Sequence, residues 1–207
     1  MNDGNFSSED INYFQENNII KTTLGAAITD YDASCGSDVV IPETIDGYKV
    51  TVIDSCGGMS IITPLKNNSN SLKSNNLLNQ EEKINILPVG ASCNGTFQNK
   101  GLTSVILPST LQVIEKRAFS NNQLTSLIIP NSVTIVGDLA FSENQLTSVI
   151  FEDNSSLDYI GVSAFVGGNQ KITEVTIPDS VSSLECSAFN YDVIINKRDD
   201  LVCFSIK

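Results

Sequence analysis

The segment Leu-Thr-Ser-Val/Leu occurs at Leu102, Leu124 and Leu146, two steps of 22 residues, and a diverged copy, Ile-Thr-Glu-Val, follows at Ile172. A unit of this length cannot bury its own apolar face, so consecutive units must stack and share one elongated core. The period therefore demands a solenoid before any single residue is weighed.

A second set of positions repeats in the same register. Each unit closes on an Ala-Phe pair, at Ala118-Phe119, Ala140-Phe141, Ala164-Phe165 and Ala188-Phe189. Ahead of the Phe residues stand Leu111 and Ile114, Val133 and Val136, Leu157 and Ile160, and Val181 and Leu184. Proline follows the first apolar stretch at Pro108, Pro130 and Pro178, whereas the third unit has Glu152 and the additional Glu-Asp-Asn-Ser-Ser, which reads as a loop bulging between its two apolar segments.

In Leu102-Thr-Ser-Val-Ile-Leu-Pro108 the first, fourth and sixth positions are apolar, so a short strand entered from a turn points them inward and the proline ends it. Parallel strands are expected near 102–107, 124–129, 146–151 and 172–177, in a right-handed array. The second segment, Leu111 to Ile114, predicts a weaker strand or extended turn on the opposite side. Stacking then lines up Phe upon Phe and Asn upon Asn.

The pattern from Leu102 to Phe119 closely resembles the BspA-like class of leucine-rich repeats, and Val40 to Ile53, with its Asp-Gly-Tyr insertion, is similar to an opening repeat of that class. The resemblance covers about residues 28 to 56 and 96 to 190. It implies a right-handed α/β-type superhelix with short parallel strands. It also implies a place among surface adhesins and secreted host-interaction proteins of bacteria and some protists.

Around these repeats the chain divides into residues 1–27, an N-terminal cap; 28–56, a first repeat; 57–95; the regular repeats 96–190; and a C-terminal cap, 191–207. Ser7 ahead of Glu9, Asp10, Ile11 and Phe14 predicts a short helix from about Ser8 to Asn17. The 57–95 stretch is either an insertion splitting one repeat at its turn, with Thr96-Phe97 resuming it, or a degenerate extra repeat whose strand is Ile84 to Leu87. Val193 to Ile195 and Leu201 to Ile206, flanking Asn-Lys-Arg-Asp-Asp, predict a closing β-hairpin.

Twenty-four acidic and 12 basic residues give a formal net charge of −12, which disfavours nucleic acid and anionic membranes as partners. The sequence has no 18-residue apolar run, and residues 1 to 30 show neither a basic start nor an apolar leader core, so no membrane insertion is expected and any export signal is absent or already removed. Histidine is absent, which removes the imidazole acid, base or ligand of most hydrolytic and metal sites. The carboxylate pairs Glu152-Asp153 and Asp30/Asp32 sit among turn formers and read as solvated turns rather than catalytic groups. Asp30 to Gly36 departs from a calcium loop, its glycine one place late and Ile41 at the twelfth position. No catalytic residue, metal or cofactor is therefore expected. Four sequons, at Asn5, Asn67, Asn94 and Asn154, matter only along a eukaryotic secretory route.

Of five cysteines, Cys56 and Cys93 stand at the two roots of the 57–95 stretch and Cys186 is within reach of Cys203, leaving Cys35 over. Two bridges fit an oxidising compartment; reduced core thiols fit a cytosolic one.

In each strand the fifth position points away from the core. It holds Ile106, Ile128 and Ile150, then Thr176, with Val40 as an extension; beside it run Ser104, Ser126 and Ser148, then Glu174, and Thr103, Thr125 and Thr147, then Thr173. An exposed isoleucine ribbon flanked by hydroxyls is a candidate contact face for a protein or glycan. The alternative is plain β-propensity copied by the repeat. Three functions follow: a secreted or cell-surface binding module, monomeric; a secreted effector or cytosolic scaffold; and an enzyme with its site in 57–95.

Overall fold

The computed structural model describes residues 19–22, 25–28, 31–45, 47–54, 95–169 and 171–204. The strands are β1 (Ile19–Thr22), β2 (Gly25–Ile28), β3 (Asp38–Val40), β4 (Thr44–Ile45), β5 (Tyr48–Ile53), β6 (Ser104–Ile106), β7 (Val113–Ile114), β8 (Ser126–Ile129), β9 (Ile135–Val136), β10 (Ser148–Phe151), β11 (Tyr159–Ile160), β12 (Glu174–Thr176), β13 (Ser183–Leu184) and β14 (Ile194–Asn196). Apart from β1 and β4, which pair antiparallel with β2 and β5, they fall into two columns of parallel strands. The chain crosses from one to the other twice per coil, as a short unit that shares its core with neighbours must do.

The Leu-Thr-Ser segments form the front column, where the expected strands are present but shorter. Its ladders are β3 with β6, β8 with β10, and β12 with β14, all parallel. The second segments form the back column, which is the continuous one: β2-β5-β7-β9-β11-β13. That reverses the sequence expectation that they would be the weaker side. Two-residue strands such as Val113–Ile114 look negligible in a sequence, yet each is held from both neighbours, Val113 beside Val52 and Ile135 and Ile114 beside Ile53 and Val136.

Between the columns lies one apolar core. Leu102, Leu124, Leu146 and Ile172 are buried, as are Leu111, Val133, Leu157 and Val181 and the back-strand residues Ile114, Val136, Ile160 and Leu184. Phe97, Phe119, Phe141, Phe165 and Phe189 form one stack, with centroids 4.9, 5.2, 5.5 and 4.9 Å apart and planes within 6° of parallel. Tyr31 covers the first ring at 5.0 Å. Phe97 thus supplies the ring that the first repeat lacks. Just ahead of it Thr96 donates its backbone N–H to the Asp54 carbonyl, so the coil left at Asp54 is resumed there.

An asparagine ladder runs beside the rings. Asn122, Asn144 and Asn169 are buried; each Nδ2 donates to the Phe carbonyl of its own coil and of the coil before, at 2.7 to 3.2 Å. Each Oδ1 accepts the N–H of the leucine opening the previous front strand, Leu102, Leu124 or Leu146. The amide is the side chain that can do both at once, donating from nitrogen and accepting at oxygen.

The expected α/β character is absent from the described coils, whose one helical element is a 3₁₀ turn, Ala33–Cys35. The reason is local. Phe119, Phe141 and Phe165 are each flanked two residues before and two after by a left-handed residue: Arg117 and Asn121, Leu139 and Glu143, and Ser163 and Gly167. Those positions bend the chain tightly and no helix can run through them. Gly137 serves close packing: a Cβ there would lie 2.8 Å from the backbone of Glu115 and Lys116 in the coil below.

Both caps differ from expectation or escape description. The helix expected over Ser8 to Asn17 lies outside the described residues; at that end β1 pairs antiparallel with β2 and covers the first edge of the back column. The closing hairpin is not found among the described residues. Instead β14 pairs parallel with β12, and Phe204 makes a parallel bridge to Glu185 beyond β13, so the segment is one more coil. Asn-Lys-Arg-Asp-Asp connects front to back column rather than two adjacent strands. Leu201, buried behind it, takes the place of Leu111 or Val181.

Candidate functional site

Parallel register fixes what the front column shows to solvent. Val40 lies beside Ile106 and Ile128 beside Ile150, one residue per strand at the same height. Their inward neighbours, Val39, Leu127 and Val149, are buried, and strand alternation sends the isoleucines outward. Ile106, Ile128 and Ile150 are 61, 54 and 55% exposed. The column then turns polar, with Thr176 beside Asn196.

The expected hydroxyl flanks lie on the same face. Ser104, Ser126, Thr103, Thr125 and Thr147 are exposed and Ser148 is half-buried. Several are already engaged. Asp38 accepts from the Thr103 and Ser104 hydroxyls at 2.8 and 2.7 Å, and Thr147 donates to the Thr125 carbonyl at 3.1 Å. Those hydroxyl bonds, Ser104 first and then Thr103, hold the Asp38 carboxyl below its ordinary pKa. Sequence reasoning did not single out Asp38, although the serine column read one coil back reaches it.

The third unit's longer connection lies beside this face. β10 pairs with β8 and β12 with β14, and between β10 and β12 lies a groove of about 700 Å³. Ile150, Phe151 and Val175 line it together with Glu152, Asp153, Glu174 and Asp179.

The other residues singled out in the sequence have structural roles or lie beyond description. Cys186 and Cys203 are bridged, with Cα atoms 4.8 Å apart, tying the last coil to the one before. Cys56 and Cys93 lie outside the described residues. Asp32 caps the 3₁₀ turn by accepting the Ser34 N–H at 2.9 Å, which is what a carboxylate at a turn start does. Among the described residues no cluster of three or more His, Cys, Asp or Glu is placed to hold a metal ion, and no helix is long and apolar enough to cross a membrane.

Two parallel strand columns around a stacked aromatic core define a leucine-rich repeat solenoid. The family model of the BspA type leucine rich repeat region matches residues 67–196 in six copies, well over half of the chain, and the chain belongs to that family. The match begins inside the 57–95 stretch, ahead of the regular repeats. No curated protein and no solved structure matches the chain. Membership in this family points to a protein-binding or adhesion module.

Proposed function

We propose that the chain is a non-catalytic binding module, secreted or displayed at the cell surface as an adhesin or host-interaction protein, and monomeric. It contacts a protein or glycan ligand across the front column. The carrying observation is that Ile106, Ile128 and Ile150, each more than half exposed, take the same place in successive front strands, Ile128 beside Ile150 in one ladder and Ile106 beside Val40 in another. An apolar centre with hydrogen-bonding flanks is the arrangement from which interfaces draw most of their affinity. The Cys186–Cys203 bridge favours an oxidising compartment over the cytosol.

The test is Ile128→Lys, followed by thermal melting and by capture of host-surface and matrix material. Capture lost with the melt unchanged supports the reading. Capture and melt both unchanged would move the site to residues 57–95 or the back column, and a collapsed melt would mean that Ile128 is core. Free thiols at Cys186 and Cys203 in the native protein would instead favour an intracellular scaffold or effector.

A further inference from the structure

Carboxylates of the front face gather at the groove between β10 and β12. The ribbon shows isoleucine, serine and threonine, whereas four carboxylates, Glu152, Asp153, Glu174 and Asp179, converge on the groove around an apolar floor of Phe151 and Val175. Ile150 belongs to both, so groove and ribbon are continuous. The guanidinium of Arg198 stands at the border of the groove, donating to the backbone carbonyl of Asp179 and pairing at 3.0 Å with Asp200 rather than with any of the four. Glu152 accepts the Asn131 N–H at 3.0 Å and Glu174 accepts from Asn196; Asp153 and Asp179 are exposed.

Resting on the reading of the front column as the contact face, we propose that this groove receives an extended basic segment of a protein partner. Its Lys or Arg side chains meet the four carboxylates, and its alternating apolar residues continue across Ile150 onto Ile128. Two observations agree. The carboxylates supply charge that a cation complements, and in a partly desolvated groove such pairing selects the partner's sign. The net charge of −12 steers a basic segment toward the molecule from a distance.

The experiment uses the full chain and two labelled peptides, one alternating Lys with Val and one alternating Glu with Val, followed by fluorescence anisotropy at low and at moderate salt. The Lys/Val peptide binds and the Glu/Val peptide does not. Asp153→Asn combined with Asp179→Asn weakens binding by about tenfold or more, the scale expected for removing complementary charge. Glu143→Gln combined with Asp192→Asn, which removes the same charge from exposed sites outside the groove, changes it by less than about twofold, the scale of screened long-range charge. If the first pair lowers the melt, Glu152→Gln, which keeps an acceptor for the Asn131 N–H, carries the same expectation. Absence of Lys/Val binding, equal binding of both peptides, or equal weakening by both pairs overturns the proposal. None of those results depends on ligand capture by Ile128→Lys, so the groove can fail while the binding face stands, and the reverse.

Discussion

Replacing Phe141 by Ala removes the middle ring of five. Phe141 is fully buried and stacks on Phe119 at 5.2 Å and on Phe165 at 5.5 Å, with planes 1° and 6° from parallel. Both flanking coils are held by the backbone, Phe119 N–H to the Ala140 carbonyl and Phe141 N–H to the Ala164 carbonyl, each at 2.8 Å, so the void cannot close by collapse. A Phe→Ala change of this kind costs about 3 to 5 kcal/mol from lost transfer energy and the residual cavity. Two aromatic contacts go with it, each contributing about 0.5 to 1.5 kcal/mol, which places the cost toward the upper end. Phe189, at 4% exposure, has one stacked neighbour among the described rings, so Phe189→Ala is expected to cost less. Urea unfolding of both variants checks this, provided the dependence on denaturant is unchanged. A loss below about 1 kcal/mol for Phe141→Ala, against an expected 3 to 5, refutes the reasoning, as does a larger loss at Phe189.

Other outcomes follow from the same structure. Asn144→Leu leaves the Leu124 N–H unsatisfied inside the core, while the Phe119 and Phe141 carbonyls keep the amides of Asn122 and Asn169; chemical denaturation should show a loss of about 1 to 3 kcal/mol, the cost of one stranded buried donor. Breaking the Cys186–Cys203 bridge by Ser at both sites opens a loop of 17 residues, for which chain entropy gives about 3 kcal/mol; hydrogen exchange should quicken at Ile194, Ile195 and Phe204 while amides of the Phe119 and Phe141 coils keep their protection. Asp38, whose pKa is lowered in the folded chain by the Ser104 and Thr103 hydroxyls, contributes stability that is present above its unfolded pKa and lost as pH falls through the folded one. The acid limb of the pH–stability curve should therefore flatten in Asp38→Asn, and an unchanged limb would exclude the linkage.

What the sequence reveals and what it hides both follow from the repeat. Phe119, Phe141, Phe165 and Phe189 share one register, and a register defines a column, so the aromatic stack, the asparagine ladder and the outward isoleucines are all legible from spacing. The back column is underestimated because two residues per strand carry almost no local signal; its strength comes from neighbours on both sides, which only stacking supplies. The left-handed positions at Arg117, Leu139 and Ser163 are invisible, since none has the Gly or Asn that advertises positive φ. The last coil is mistaken for a hairpin because Asn-Lys-Arg-Asp-Asp resembles a turn and the Leu-Thr-Ser signature has decayed, although Ile194 and Ile195 still pair in register with Glu174 and Val175. For the candidate site, Glu-Asp-Asn-Ser-Ser announces a loop in the third unit. That Asp179 and Glu174 line one groove with Glu152 depends on stacking with the next coil.

The claim that ligands dock on the front column is tested most directly by comparing two single-lysine variants in one capture assay. Ile128→Lys places the charge at the centre of the exposed ribbon; Gln112→Lys places it on an exposed residue at the mouth of the back strand β7. With melting temperatures matched to the parent chain, the account predicts that Ile128→Lys loses captured ligand while Gln112→Lys retains it. Loss at Gln112→Lys with retention at Ile128→Lys, or retention by both, would contradict it.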